Sequence, residues 1–274
     1  MKSFEDIIED EMMALPRNYR VVRRIILRSW NAAFHPENRN KNRRADIPFW
    51  EQSRVWLANG NFDRSLTSSY INANWVHGYK KKNKFIATQA PMKNTVDDFL
   101  TMVWLNSCRY IFVLTKFFEN GVEKCFPYWP TRKYGIKITQ QWLIHFKSRQ
   151  CEPGYKKYVL IFCKSDVPEI QRTIILYHYA RWPQNRKPSN CNEFWKFFFR
   201  TRFEMTDFYR LNKRDAAPIV VHGSDGINRT VQFCIYSNIM EKMIDTDRSI
   251  TTKETIKEME YVHKMRYSRI VIEN

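Results

Sequence analysis

The chain has 274 residues, of which 43% are apolar, too large a share for a disordered polypeptide. Its 46 Lys and Arg residues outnumber its 28 Asp and Glu residues, so the formal net charge is +18 and anionic partners are expected. No run of eighteen apolar residues occurs, which excludes an ordinary transmembrane segment, and the acidic start of the chain is unlike a secretory signal.

The six cysteines show no CxxC spacing, which predicts reduced thiols and a cytoplasmic location rather than a disulfide framework. The sequence has no zinc-finger spacing, RNP signature or GxxG clamp. We therefore predict no metal and no cofactor, and we rank nucleic acid as a weak alternative to acidic or phosphorylated proteins and anionic lipid surfaces.

Hydrophobic periodicity indicates the elements in chain order. Residues 4–34 predict two short helices interrupted at Pro16, and the polar stretch 35–50 predicts a loop. Strands are predicted over residues 70–76, 84–88, 110–114, 136–146, 158–163, 173–179 and 219–222. Helices are predicted over 95–107, 190–205, 229–244 and 252–266. This order predicts a single α/β (α+β) domain over residues 1–274, with a central twisted mixed sheet flanked by helices.

The segment 218–230, PIVVHGSDGINRT, combines a short apolar strand, a tight turn and the start of a helix. Such a loop can direct several backbone N–H groups to one point in front of a helix N-terminus, which forms a cradle for an oxyanion. Arg229 would add a planar donor pair for phosphate. The alternative is an ordinary strand-to-helix turn whose arginine pairs with a carboxylate.

This segment resembles the signature loop of the protein tyrosine phosphatase family, HCxxGxxR followed by Ser or Thr. The matching residues are His222, Ser224, Gly226, Arg229 and Thr230. Further family motifs occur in the family's order: KNRRADIPF (41–49), YINAN (70–74), FIATQAP (85–91), TVDDFLTMVW (95–104), KCFPYWP (124–130) and WPQNRKP (182–188). The resemblance covers about residues 35–272 and implies the fold of a non-receptor type phosphatase domain.

Two positions depart from what the family's chemistry requires. Gly223 stands where the family has the cysteine whose thiolate attacks phosphorus, and Gln184 stands where it has the aspartic acid that protonates the leaving group. Glu273 replaces a glutamine near the end of the chain, so the family's glutamine loop and last helix are expected to be missing. We therefore predict no catalytic residue and a protein that is not an enzyme.

Phosphate binding is a separate question, because backbone donors do not depend on side-chain identity. The resemblance assigns it to Ser224, Gly226 and Arg229, and assigns substrate recognition to Asp46 and to Arg44, which replaces a stacking tyrosine.

Two substitutions oppose phosphate binding. Asp225 brings a carboxylate into the cradle and would repel phosphate if it pointed inward. Asn228 replaces a loop glycine and is expected to strain a left-handed backbone position.

The prediction is an inactive, phosphatase-like protein that binds phosphotyrosine or partner proteins. The alternatives are a weakly active phosphatase and a basic scaffold with an empty pocket, whose lysines at 80–82 bind acidic proteins or lipids. A basic domain without appended modules also resembles the tyrosine-phosphatase-like proteins of bracoviruses. That resemblance implies action in the host-cell cytoplasm against immune-cell adhesion and phagocytosis.

Overall fold

The structure is a computed structural model that describes residues 31–44, 51–57, 68–184, 186, 188–212 and 217–246. Of the two helices predicted over 4–34, only the last residues, Asn31–Phe34, are described, and they are helical. The helix predicted over 252–266 and the altered C-terminal motif around Glu273 lie outside the described residues.

The described part of the chain contains four α-helices and eleven strands. The helices are α1 (Asn31–Phe34), α2 (Val96–Leu105), α3 (Cys191–Asn212) and α4 (Asn228–Thr246), with 3₁₀ segments at Pro36–Lys41 and Glu51–Ser53. The strands are β1 (Arg54–Trp56), β2 (Tyr70–Val76), β3 (Phe85–Thr88), β4 (Tyr110–Val113), β5 (Phe118–Glu119), β6 (Val122–Glu123), β7 (Ile136–Ile138), β8 (Trp142–Glu152), β9 (Tyr155–Lys164), β10 (Gln171–Tyr179) and β11 (Ile219–His222).

Nine of these strands form one mixed sheet in the order β1-β2-β3-β11-β4-β10-β9-β8-β7. The central strands β3, β11, β4 and β10 are parallel neighbours, and the outer strands pair in antiparallel fashion. The sequence of β11, IVVH, begins with three apolar residues and is buried along its length, as expected for a central parallel strand covered on both faces. The predicted twisted mixed sheet flanked by helices is confirmed.

Helices cover the two faces of the sheet's centre. On one face α2 packs Phe99, Leu100 and Val103 into a core that includes Ile111 and Val220. On the other face lie α3 and α4, whose inward-facing aromatic side chains meet the opposite side of the same central strands. The loop after β11 is therefore anchored between two buried layers.

The single strand predicted over 136–146 is wrong, because two strands and a turn occupy this range. Strands β7 and β8 pair as an antiparallel hairpin, and the turn between them covers residues 139–141. The Thr139 Oγ1 and the Gln141 N–H both donate to Asp97 Oδ1 on α2, at 2.6 and 3.0 Å. A side chain distant in sequence thus stabilises a turn that hydrophobic periodicity alone does not reveal.

The loop predicted over 35–50 is wrong for Pro36–Lys41, which forms the first 3₁₀ segment. Proline at its start supplies a helical φ angle, which favours this short turn structure. Among the described helices, none combines the length and the apolar content needed to cross a bilayer.

Candidate functional site

The candidate site is the loop 223–227, which joins the carboxyl end of β11 to the N-terminus of α4. Loops at the carboxyl ends of parallel strands line the crevice where α/β proteins bind ligands. The Ala90 N–H, at the end of the neighbouring strand, donates to the Ser224 carbonyl at 2.9 Å. Gly226 has φ = 73°, a backbone conformation that glycine adopts without strain. The hydrogen bond from Ala90 and the left-handed Gly226 therefore fix the shape of the loop and tie it to the neighbouring strand.

Gly223 begins this loop, and its N–H donates to Thr230 Oγ1 at 2.7 Å. A Cβ atom at residue 223 would lie 3.4 Å from Thr230 Oγ1 and 3.5 Å from Arg229 Cβ, which are ordinary contacts. The backbone at this position therefore does not require glycine, and a cysteine side chain would begin without a clash.

His222 supports the loop from below and is fully buried. Its Nδ1 lies 3.1 Å from the Gly223 carbonyl, which can only accept, so Nδ1 carries the proton. Its Nε2 then accepts from the Tyr128 hydroxyl at 2.9 Å, and the Phe99 ring packs nearly perpendicular to the imidazole, with 5.6 Å between the ring centres. Burial lowers the pKa of His222 to about 3, so the ring is neutral at physiological pH.

Arg229 lies in the first turn of α4 and is 4% exposed. Its Nη1 donates to Glu119 Oε1 at 2.6 Å and to the Trp182 carbonyl at 2.8 Å. The Thr115 Oγ1 also donates to Glu119 Oε1, at 3.0 Å. Burial alone would raise the pKa of Glu119, but its hydrogen bond and charge interaction with Arg229 hold that pKa below the usual value. The arginine is therefore paired with a carboxylate. This pairing belongs to the alternative interpretation of segment 218–230, an ordinary strand-to-helix turn.

Glu119 reaches Arg229 from the small hairpin of β5 and β6. The two residues of its turn, Asn120 and Gly121, have φ angles of 52° and 76°, and Asn-Gly is a favoured pair for such a turn. Sequence reasoning missed Glu119 as a site residue. The Asn-Gly turn signals the hairpin, but nothing in the sequence connects Glu119 with an arginine 110 residues away.

Asp225 directs its carboxylate at the loop's own backbone. Its Oδ1 accepts from the Ile227 N–H at 3.1 Å. The Ile227 N–H, a backbone donor of the loop that would otherwise be available to phosphate, is thus occupied by the Asp225 carboxylate. The strain expected at Asn228 is wrong, because Asn228 is the first residue of α4 and the left-handed residue of the loop is Gly226.

Of the two residues assigned to substrate recognition, Arg44 ends the described segment 31–44. Arg44 is exposed, and Asp46 lies outside the described residues. Gln89 fixes this segment, since its Oε1 accepts from the Arg43 N–H at 3.0 Å and its Nε2 donates to the Lys41 carbonyl at 2.7 Å. Gln89 belongs to the motif FIATQAP, but sequence reasoning did not assign it this role.

Gln184 is exposed, on the loop that begins at Trp182. The buried Trp182 holds this loop through its indole N–H, which donates to the Arg186 carbonyl at 2.9 Å, and through its own carbonyl, which accepts from Arg229. The loop is therefore linked to Arg229 by the Trp182 carbonyl, while position 184 carries a neutral amide.

Two described cysteines occur within family motifs or near the loop, namely Cys125 and Cys234. Both are fully buried. Burial raises the pKa of Cys125 well above the usual thiol value and that of Cys234 to about 12, so both stay protonated near neutral pH.

Comparison with known proteins agrees with this geometry. The family model described as "Protein-tyrosine phosphatase" matches residues 38–271. The chain is 32% identical over 226 residues to "Probable tyrosine phosphatase protein N1" of Microplitis demolitor bracovirus (isolate Webb), covering 79% of this chain and 67% of that protein. It is 30% identical over 241 residues to "Tyrosine phosphatase-like protein H1" of the same virus, with 86% and 69% covered. "Tyrosine-protein phosphatase 69D" of Drosophila melanogaster is 33% identical, but the match spans 15% of its length.

Proposed function

The chain belongs to the protein-tyrosine phosphatase family, and on that premise we propose that it is a catalytically inactive member that acts by binding. The observation that carries this proposal is Gly223, which has no side chain at the position of the family's nucleophile. Hydrolysis through a phosphoenzyme needs a thiolate that forms a bond to phosphorus.

Among the described residues around the loop, neither Ser224 nor His222 offers a replacement for the missing nucleophile. Ser224 is an alcohol, and an alcohol needs a general base to attack near neutral pH. The imidazole of His222 is unsuited to that role, because Nδ1 donates to the Gly223 carbonyl and Nε2 accepts from Tyr128. Gln184 cannot protonate a leaving group, and general acid catalysis contributes about 10²–10⁴-fold.

Two carboxylates support partner proteins, rather than phosphotyrosine, as the main ligands. A phosphate would have to compete with Glu119 for the guanidinium of Arg229 and with Asp225 for the Ile227 N–H. Each displaced carboxylate would also repel the incoming anion. On this proposal the loop keeps the family's shape, while the surfaces of the domain engage acidic or phosphorylated proteins.

The proposed biological setting is the cytoplasm of a host cell. Its support is the similarity to several bracovirus proteins, including N1, H1 and "Tyrosine phosphatase-like protein J1", which is 29% identical over 229 residues. By occupying partners of active phosphatases, such a protein would interfere with immune-cell adhesion and phagocytosis.

Hydrolysis of a chromogenic aryl phosphate by the purified chain tests inactivity. We expect no turnover above buffer and no radiolabelled phosphoryl group on the denatured protein. The variant Arg229→Ala serves as control, because contaminating phosphatases are insensitive to it. Turnover that disappears in Arg229→Ala would show that the chain is a weak enzyme and would refute the proposal.

Calorimetric titration with a phosphotyrosine peptide tests the binding mode. We expect weak binding that Asp225→Ala tightens by about tenfold, since about 1.4 kcal/mol of repulsion corresponds to that factor. Asp225→Asn is the matched control: its side-chain oxygen still accepts from the Ile227 N–H, so it removes the charge and keeps the hydrogen bond. Wild-type binding as tight as that of Asp225→Ala would establish phosphotyrosine as the main ligand instead.

A further inference from the structure

Strand β7 ends the nine-stranded sheet and is paired on one side by β8. The Phe146 N–H donates to the Gly135 carbonyl, and the Thr139 N–H donates to the Trp142 carbonyl, both at 3.0 Å. In an antiparallel pair, residues that bond to the partner strand alternate with residues whose backbone groups point away. The N–H and C=O groups of Ile136 and Ile138 therefore point outward from the sheet.

The same short strand exposes apolar side chains. Ile136 and Ile138 are 53% and 67% exposed, and Tyr134, just before the strand, is 84% exposed. Ile136 lies opposite His145, and Ile138 opposite Leu143, so the two isoleucines share one face of the sheet. An outward-facing backbone edge beside a row of apolar side chains can pair with a further strand.

Charge around this edge is positive. From residue 124 to residue 151 the chain contains six Lys and Arg residues and no Asp or Glu: Lys124, Arg132, Lys133, Lys137, Lys147 and Arg149. Lys137 lies on β7 itself, with its ammonium 4.8 Å from the centre of the Phe126 ring. The carboxylate of Asp97 contacts only the far end of this region, where Thr139 and Gln141 hold it.

We propose that the edge of β7 receives an extended acidic segment of a partner protein as a tenth strand of the sheet. Backbone hydrogen bonds to residues 136 and 138 would supply the pairing, as in other cases of strand addition. Alternating apolar side chains of the partner would pack on the two isoleucines. Its Asp or Glu residues would meet Lys137 and Lys133.

The charge of the edge selects against a second copy of this chain. An antiparallel pairing of two β7 strands about residue 137 would place two lysines directly opposite each other, and like charges in that position are destabilising. Short length and lysine are the features that protect a sheet edge from self-association. The positive charge of Lys137 also favours a strand that carries acidic residues.

Fluorescence anisotropy with labelled synthetic peptides tests the proposal on the full chain. The probes are a panel of ten-residue peptides that alternate Glu or Asp with Val, Ile or Tyr. Peptides of identical composition with all acidic residues in one block are the controls. We expect saturable binding of at least one alternating peptide, about tenfold tighter than its blocked counterpart, because only alternation satisfies both the backbone and the apolar face.

Variants of the edge sharpen this test. Ile138→Pro removes an outward N–H that β8 does not use, and should weaken binding by about tenfold, whereas Ile138→Val should leave it unchanged. Lys137→Glu should weaken binding more than Lys93→Glu, which makes the same charge change at an exposed position on the α2 side. Asp225→Ala and Arg229→Ala should have no effect, which separates this edge from the loop at residue 223.

Three results would overturn the proposal. They are equal binding of blocked and alternating peptides, no binding by any peptide of the panel, and binding that Ile138→Pro leaves intact in a protein with an unchanged melting temperature. Tighter binding to vesicles containing phosphatidylserine than to every peptide would assign the basic edge to membranes and would also refute strand addition.

Discussion

The buried residues beneath the loop after β11, its underside, and the positions within the loop itself differ in how closely they follow the family signature. The underside contains His222, Tyr128 and Thr230, which are buried and joined to the loop by hydrogen bonds of 2.7–3.1 Å. The loop itself contains Gly223 and Asp225, where the sequence departs from the signature.

This difference separates what the fold needs from what the chemistry needs. A buried polar group without its partner costs about 1–3 kcal/mol, so the underside is constrained by stability. A nucleophile contributes to the reaction and not to folding, so its removal leaves the loop intact. The following experiments test whether the two layers are as independent as the contacts indicate.

Changing the altered loop positions together with Gln184 should give the largest effect. We expect Gly223→Cys combined with Gln184→Asp and Asp225→Ala to hydrolyse an aryl phosphate about 10²–10⁴ times faster than Gly223→Cys alone, because the single variant still has no general acid. Steady-state turnover of both purified variants measures this. Equal rates would mean that the absent cysteine accounts for the whole deficit.

Lowering the pH should decrease the stability of the fold through two buried histidines, His222 beneath the loop and His178. Burial lowers the pKa of His222 to about 3 and that of His178 to about 4. Between these values and about 6.5, the unfolded chain binds protons that the folded chain does not, so stability falls as the pH falls. From pH 6.5 to pH 5 we expect a decrease of about 1–2 kcal/mol for each histidine.

Urea unfolding across this pH range measures that decrease. His178→Gln should remove about half of the slope while keeping a donor for the Thr115 carbonyl, which His178 Nε2 contacts at 2.8 Å. A stability that is constant from pH 6.5 to pH 5 would contradict the assignment of neutral, buried imidazoles.

Removing one hydroxyl from the underside should have a smaller effect. Tyr128→Phe leaves the buried Nε2 of His222 without a donor and should lower the free energy of unfolding by about 1–3 kcal/mol. Tyr134→Phe is the matched control, because that residue is 84% exposed and its change should stay within about 0.5 kcal/mol. Equal effects of the two substitutions would show that the histidine does not depend on Tyr128.

The smallest effect is expected at Gly223 itself. Gly223→Ala should stabilise the fold by about 0.4–1 kcal/mol, since the added Cβ meets only ordinary contacts and restricts the unfolded chain. Gly226→Ala should instead destabilise it, because φ at that residue is 73°. Denaturant titration of both variants checks the contrast, and a destabilising Gly223→Ala would mean that the two layers of the loop are coupled.

The family, the central sheet and the strand–loop–helix around residue 223 could all be predicted from the sequence. Hydrophobic periodicity and turn residues act over a few neighbouring positions, so these elements are visible in the chain itself. The absence of a cysteine at residue 223 is likewise read directly from the sequence. The resemblance to the family signature also selected Ser224, Gly226 and Arg229, and the structure places all three in or directly after one loop.

Only the tertiary structure decided what those residues contact. The pairing of Arg229 with Glu119 joins positions 110 residues apart. The turn at 139–141 depends on Asp97 of a distant helix. The direction of Asp225 follows from the shape of the whole loop. Contacts of this kind depend on how the sheet and helices pack together, and local sequence patterns carry no information about that packing.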